Sequence, residues 1–168
     1  MQFTVKHRFE TDSDTFWNKI FFDDDYNRSL WLDYLKFSDY RILSFEREDN
    51  GTIRRRLEVA PRVEIPKAIK KVLGDSANYV EEGSFDPDNK KWHFVVIPHV
   101  ASNKIKTRGE LWVEPIGEKR IERICVVNTE VKVFGVGRLV EEMIEKQTRT
   151  SYDQASVFTN KWISDKGF

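Results

Sequence analysis

The sequence predicts an α+β fold in which one long C-terminal helix lies across a curved antiparallel sheet of about seven strands. Segments that alternate apolar and polar residues recur between residues 3 and 131, and this period of two is typical of strands with one buried face. Residues 136–163 contain no proline and place their apolar residues in one helical stripe. A sheet with one apolar face needs a cover, and a single long helix supplies it.

The size and charge of the chain restrict the class of protein. Its 168 residues correspond to one domain, since a typical domain has about 150 residues. Lys and Arg number 28, as do Asp and Glu, so the net charge is zero and we expect no nucleic-acid partner. The 12 Phe, 5 Trp and 5 Tyr supply many large apolar side chains, and this composition excludes disorder.

The sequence also restricts the compartment and the chemistry. No apolar run approaches the roughly 20 residues of a membrane-spanning helix, and no apolar signal segment is present, so we expect a soluble, cytoplasmic protein. Cys125 is the only cysteine, which excludes an intrachain disulfide and a zinc cluster of several thiolates. His7, His93 and His99 do not have metal-ligand spacing, so we expect no metal and no cofactor.

The first elements are predicted to be a strand and two short helices. Apolar residues and one histidine alternate with polar residues over residues 3–9. Thr11-Asp12-Ser13-Asp14 provides side chains that cap a helix N-terminus, and apolar residues then follow at helical spacing. The acidic run Asp23-Asp24-Asp25 separates this helix from a second one that contains Leu30 and Leu35.

Six further strands are predicted to pair as hairpins. Residues 40–47 and 52–59 flank Asn50-Gly51, a strong hairpin signal. A short amphipathic helix that ends at Gly74 follows. The remaining strands are predicted at residues 78–85, 92–97, 105–113 and 120–131. At about 1.5 Å per residue, the helix over residues 136–163 would be roughly 42 Å long.

This order of elements resembles the helix-grip fold of the START-like (SRPBCC) superfamily. The segments Arg56-Leu57-Glu58-Val59, Ile65-Pro66-Lys67-Ala68-Ile69-Lys70-Lys71-Val72-Leu73-Gly74 and Asn78-Tyr79-Val80-Glu81-Glu82 are similar to the middle of PRELI-type lipid-transfer domains. The PRELI-type pattern is rich in Trp and Pro after the first strand, whereas this chain has Asp23-Asp24-Asp25-Tyr26-Asn27 there.

An uncharacterised bacterial branch of the same superfamily resembles the chain in other segments. These are His7-Arg8-Phe9, the stretch Val133-Phe134-Gly135-Val136-Gly137-Arg138-Leu139-Val140-Glu141, and Trp162 near the end of the last helix. The acidic departure from the PRELI-type pattern favours this branch. The combined resemblance covers nearly the whole chain, so we expect residues 1–168 to form a single START-like domain.

The resemblance implies that the chain binds, or transports, a lipid or another hydrophobic small molecule in a cavity between the sheet and the terminal helix. Strand alternation gives candidates for the cavity wall, with the inward face of each strand left open. They are Phe3, Val5, His7, Phe9, Trp92, Phe94 and Val96. The same rings also suit a dry core without a cavity.

Polar residues interrupt the apolar side of the terminal helix. Past Met143, the stripe reaches Gln147, then Thr150 or Ser151, then Gln154, before Phe158. These groups would hold a ligand's polar head if the helix faces a cavity, or would be solvated if the helix overhangs the sheet edge.

Two further features have a functional and a purely structural interpretation. Arg55 shares a strand face with apolar residues, and is either a cavity cation for an acidic ligand or a residue at the end of the sheet. The helix before Gly74 has an apolar face of Ile65, Ile69, Val72 and Leu73, and a basic face of Lys67, Lys70 and Lys71. It is either a lid that makes transient contact with an anionic membrane or ordinary packing.

An enzyme needs a group of reacting side chains, and the sequence indicates none. His7 lies on an apolar strand face, which is also typical of a core histidine. The leading hypothesis is therefore a binding protein without catalytic residues. The alternatives are a cyclase-like or dehydratase-like enzyme that uses the same cavity, and a ligand-free interaction domain with a filled core.

Overall fold

The computed structural model describes the whole chain, Met1–Phe168, and confirms the predicted α+β helix-grip fold. The strands are β1 (Gln2–Phe9), β2 (Asp39–Arg47), β3 (Ile53–Ala60), β4 (Tyr79–Asp86), β5 (Lys91–Pro98), β6 (Ile105–Gly117) and β7 (Arg120–Val131). The helices are α1 (Ser13–Phe16), α2 (Asp24–Arg28), α3 (Lys67–Leu73) and α4 (Gly137–Lys166). No helix is both long enough and apolar enough to span a bilayer.

The seven strands form one antiparallel sheet in the order β1-β7-β6-β5-β4-β3-β2. Every strand from β2 to β7 pairs with its neighbour in the chain, and β1 is added beside β7. The register of β1 and β7 places Val5 opposite Cys125 and Phe9 opposite Ile121. Alternate residues of each strand therefore face the same side of the sheet.

The two predicted helices after β1 each continue as a π-helix. α1 begins at the N-cap Asp12, whose side chain accepts a hydrogen bond from the Thr15 amide at 2.9 Å, and runs on as the π-helix Trp17–Phe21. α2 is capped by Asp23 and runs on as the π-helix Ser29–Tyr34. π-Helical turns are rare and occur frequently at functional sites.

The structure differs from the sequence prediction at two turns. The strand predicted over residues 105–113 is longer in the structure, because β6 continues to Gly117 with an irregular register between Pro115 and Gly117. A proline is tolerated there because it lies at this irregularity near the end of the strand. In the Asn50-Gly51 turn only Gly51 has a positive φ, 89°, as in a three-residue hairpin loop whose last residue is left-handed.

The main core lies between the sheet, the α1 and α2 region and the C-terminal half of α4. It contains Phe9, Phe16, Trp17, Trp92 and Ile163, among 19 buried residues. A smaller cluster joins α3 to β6 and to the start of α4. α4 lies along the β1 and β7 side of the sheet, which leaves the middle strands to be covered by the α1 and α2 region.

Candidate functional site

A cavity of about 260 Å³ lies between the inner face of the sheet and the helices. Its floor comes from β3 to β7, one wall comes from α4, and another comes from the α2 region between Phe21 and Phe37. The last residue of α3, Leu73, and the segment that follows it, with Ala77 and Asn78, close the remaining side. Most of the lining side chains are hydrophobic, as expected of a site for small apolar ligands.

Two glycines on the inner face determine how the aromatic rings of β5 lie. A Cβ at Gly83 would be 1.9 Å from Cζ2 of Trp92, and a Cβ at Gly109 would be 2.4 Å from Cζ of Phe94. Each ring therefore occupies the space beside a glycine of a neighbouring strand, where any larger residue would place a side chain. Because the rings use this space next to the sheet, room remains beyond them for the cavity.

The strand floor contains a buried ion pair. Arg55 on β3 is 5% exposed, and its Nη2 donates to Oε1 of Glu81 on β4 at 3.4 Å. Its Nη1 donates to the Phe21 carbonyl at 3.0 Å, and its Cζ lies 4.9 Å from the Phe21 ring and 5.0 Å from the Trp92 ring. Burial raises the pKa of Glu81, and the charge of Arg55 opposes this rise.

A second buried arginine lies on β7. Nη2 of Arg123 is 3.0 Å from Nδ1 of His7, and Nε2 of His7 is 2.8 Å from Oδ1 of Asp153 on α4. The Arg123 guanidinium lies 4.7 Å from the centroid of the Tyr152 ring. Arg123 and Tyr152 border the cavity, whereas His7 lies behind them and does not. Burial is the main cause that lowers the pKa of His7, and the hydrogen bond to Asp153 opposes it.

α4 contributes polar groups to the cavity in its first half. Gln147, Thr148 and Ser151 line it, together with the apolar Met143 and Ile144. Tyr152 stands at the end of this row, and its hydroxyl oxygen accepts a hydrogen bond from Sγ of Cys125 at 3.5 Å. Burial raises the pKa of Cys125 to about 11, so this thiol is protonated at neutral pH.

Eight of the residues proposed from the sequence border this one cavity. They are Arg55, Leu73, Trp92, Phe94, Val96, Met143, Gln147 and Ser151. The candidate face of β5, whose orientation strand alternation left open, is therefore the inward one, and the stripe of α4 places the polar groups of its first half at the cavity.

The other proposed residues lie elsewhere. Phe3, Val5 and Phe9 pack in the core under α4, because Arg149 Nη1 donates to the Thr4 carbonyl and holds the helix against β1. Gln154 is exposed, since the helix turns it away from the sheet. Phe158 packs on other rings, including Tyr34 at 5.1 Å. Ile65 and Ile69 are buried in the α3 cluster against Ile105 and Val140.

Several residues that line the cavity were not predicted from the sequence. Arg123 carries the same signal as Arg55, because it shares its strand face with Ile121, Cys125 and Val127. Glu81 is likewise a charged residue on an inward strand face. The rings of the α2 region, such as Trp31 and Phe37, show no signal of this kind, because their position depends on how the helices fold back over the sheet.

A larger concavity, about 850 Å³, lies on the outer face of the sheet and is a weaker candidate. Its walls carry polar and charged side chains that pair with one another, such as Arg56 Nε with Glu82 Oε1 at 2.8 Å and His93 Nδ1 with Glu110 Oε1 at 3.5 Å. These groups are exposed to solvent. The inner cavity is therefore the candidate site.

Solved structures with the same fold cover almost the whole chain. Norcoclaurine synthase from Thalictrum flavum aligns with a TM-score of 0.69 at 16% identity, over 100% of this chain and 96% of that one. The Zhui aromatase/cyclase from Streptomyces sp. R1128 aligns with a TM-score of 0.64 at 10% identity, over 97% of this chain and 96% of that one. A START superfamily protein from Mycobacterium smegmatis aligns with a TM-score of 0.61 at 11% identity, over 98% of this chain and 97% of that one. These likenesses confirm the START-like fold.

Sequence comparison is more specific than structure comparison here. No curated protein matches the chain. The model of one family, described as "Protein of unknown function (DUF2505)", matches residues 4–163, which is nearly the whole chain. The chain therefore belongs to the DUF2505 family, and its fold is that of the START-like superfamily.

Proposed function

We propose that the protein binds a hydrophobic small molecule, such as a lipid, in the cavity between the sheet and α4. The single observation that carries the proposal is the cavity itself, about 260 Å³ and mostly apolar. Close packing normally leaves few voids larger than a water molecule in a protein interior. An empty volume of this size is unfavourable, because the side chains that line it lose packing contacts.

The chemistry of the walls supports an amphiphilic occupant. Trp92, Phe94 and Val96 offer apolar surface, whereas Gln147 and Ser151 offer hydrogen-bonding groups on the opposite wall. Polar groups inside an apolar cavity are unfavourable unless they are hydrogen-bonded, so a ligand with one polar end suits this site. The START superfamily protein and the Zhui aromatase/cyclase share this fold, which supports a small-molecule ligand in general.

Ligand entry is proposed to occur at α3. Leu73 ends this helix beside the cavity, while Ile69 packs against Ile105 and Val140. Lys67, Lys70 and Lys71 are exposed, so the helix would act as a lid that touches an anionic membrane during transfer. Sedimentation with vesicles that contain phosphatidylserine tests this contact: replacing the three lysines by Gln should reduce binding, and an unchanged bound fraction would exclude the membrane role of α3.

A catalytic role has weaker support. The aromatase/cyclase and norcoclaurine synthase are enzymes by name, but His7, the best catalytic candidate of this chain, does not border the cavity. Arg123 and Tyr152 stand between His7 and that space. A ligand-free interaction domain is also less well supported, because its core would be filled.

The binding proposal is tested with the purified protein. Native mass spectrometry should detect a co-purified hydrophobic molecule, and N-phenylnaphthylamine, an uncharged fluorescent probe, should bind. Ser151→Phe adds a ring inside the cavity and should weaken probe binding by about tenfold or more. Ser164→Phe is the matched control, because Ser164 is an exposed residue of the same helix. Equal probe binding by both variants would exclude the cavity as the binding site.

A further inference from the structure

Arg123 is a buried cation without an anionic partner. Arg123 is 7% exposed, and its Nε has no hydrogen-bond partner in the protein. The residue takes part in none of the chain's ion pairs. Buried charges in proteins are normally paired, because an isolated charge is strongly disfavoured in a medium of low dielectric constant. The absence of a counter-charge therefore requires an explanation.

The neighbouring imidazole does not supply the missing charge. Arg123 is a donor only, so Nδ1 of His7 accepts its hydrogen bond at 3.0 Å, and Nε2 of His7 then donates to Oδ1 of Asp153. His7 is therefore a neutral spacer between the cation and the carboxylate. The Asp153 side chain is 72% exposed on the far side of that ring, where water screens it.

The cavity as a whole carries one uncompensated positive charge. Arg55, Glu81 and Arg123 are the charged residues that line it, and Arg55 is already paired with Glu81. Charge balance is reached when an occupant brings one negative charge to Arg123.

A second hydrogen-bond donor for the negatively charged group lies beside Arg123. The Tyr152 ring lies 4.7 Å from the guanidinium, and its hydroxyl oxygen already accepts a hydrogen bond from Cys125. Burial raises the pKa of Tyr152 well above its ordinary value, so the phenol keeps its proton and has it free to donate. Arg123 and Tyr152 thus present N–H and O–H donors to the same end of the cavity.

We propose that the ligand is an amphiphile with one negative charge, a carboxylate in the first instance, which binds Arg123 and the Tyr152 hydroxyl while its apolar body lies against the rings of β5. This inference rests on the proposed function and deepens it, because it names the chemical class of the ligand. The paired Arg55 has a different role: it neutralises Glu81 and packs between Phe21 and Trp92.

The test compares two probes that differ in their polar end alone, decanoate and decanol, as competitors of N-phenylnaphthylamine. Decanoate should bind the natural protein about tenfold or more tightly than decanol, the range of a buried charge-assisted hydrogen bond. Arg123→Met should abolish this preference and leave decanol affinity within about threefold. Arg120→Met is the matched control, because Arg120 is an exposed residue of the same strand that pairs with Glu10.

Each result separates the inference from the proposal beneath it. If neither competitor nor the fluorescent probe binds, the proposed function fails. If decanol binds the natural protein as tightly as decanoate, the cavity binds apolar molecules but the inference of an anionic ligand is overturned. The inference is also overturned if Arg123→Met keeps the preference for decanoate over decanol. If Arg123→Met does not fold, Arg123→Lys replaces it and should reduce the preference, because a single ammonium cannot reproduce the geometry of the guanidinium.

Discussion

The space between the sheet and the helices is filled at one end and open at the other. At the filled end, rings from the α1 region meet rings of the sheet, with Trp17 and Phe85 at 4.7 Å and Phe21 and Trp92 at 5.5 Å between centroids. At the open end the same sheet faces Thr148 and Ser151, whose side chains are too short to reach it. A high content of aromatic residues thus builds a dry core and a cavity in one molecule.

α4 shows the same division along its length. Its second half buries Ala155, Thr159 and Ile163 against the ring-filled core, whereas its first half places Met143, Gln147 and other residues around the cavity. The backbone of α4 is continuous, so it does not distinguish the two halves. The size of the side chains between the helix and the sheet therefore decides which half is filled and which half borders a cavity. Four pairs of variants test this division, from the largest expected effect to the smallest.

The largest effect is expected from removing a ring at the filled end. Phe16 is 2% exposed and contacts Phe9, Trp17 and Phe21, so Phe16→Ala should lower the free energy of unfolding by about 3–5 kcal/mol. Phe37→Ala is the matched change at the open end, where the ring is half-buried and lines the cavity. It should have less than about half that effect. Urea denaturation measures both, and equal losses would refute the division.

A smaller effect is expected where the two ends meet. Gly83→Ala would place a methyl group against Trp92 and push the ring away from the sheet, lowering the free energy of unfolding by about 1–3 kcal/mol. The displaced ring should also weaken the binding of N-phenylnaphthylamine. Gly117→Ala is the control, because its added Cβ would come no closer than 3.4 Å to the Cβ of Arg120. A Gly83→Ala protein with natural stability and binding would show that the ring does not define the floor.

The hydrogen bond between α2 and α4 should contribute less. Tyr26 Oη and Thr159 Oγ1 are 2.6 Å apart in the core, and Tyr26→Phe should lower the free energy of unfolding by about 1 kcal/mol. The loss is modest because Thr159 Oγ1 still donates to the Ala155 carbonyl. Tyr34→Phe, at a 41% exposed residue, should have almost no effect. Thermal unfolding compares the two variants, and an equal response would contradict a role of the buried pair.

The smallest effect is expected from titration of His7. Its pKa lies below the ordinary value of 6.5, so the unfolded chain binds a proton first as the pH falls. The stability of the natural protein should therefore decrease from pH 6.5 down to the folded-state pKa and then level off. His7→Gln should remove this part of the pH dependence in urea unfolding. His93→Gln, which changes an exposed imidazole, is the control; identical pH profiles for both variants would contradict the assignment.

Strand alternation predicted the fold well because burial on one face fixes the period of two. It identified the strands and their hairpins, and it grouped the residues that share one face of β5. It grouped Phe3 and Val5 on one face of β1 in the same way, but these side chains touch the packed core rather than the cavity. Which face of each strand points inward was left open by alternation alone. The period of two indicates which residues share one face of a strand. It gives no information about the distance from that face to the helical layer opposite, which depends on where α4 crosses the sheet.

The polar part of the site was predicted only in part for a related reason. Arg55 was recognised as a cation on an apolar strand face, and Arg123 shows the same pattern on β7. The difference between them arises from partners on other elements: Glu81 for Arg55, and His7 with Tyr152 for Arg123. These partners come together only through the sheet order and the docking of α4, neither of which is local in sequence.

The position of β1 beside β7 has a consequence for the folding reaction. β2 to β7 form successive hairpins through local contacts, whereas β1 must pair with a strand more than a hundred residues away. α4 depends on that pairing, because Arg149 and Asn160 bind the carbonyls of Thr4 and Arg8 on β1. Contacts of long sequence separation form slowly. We therefore expect β1 and α4 to dock last, so that the growing chain presents an open apolar trough before it encloses a cavity.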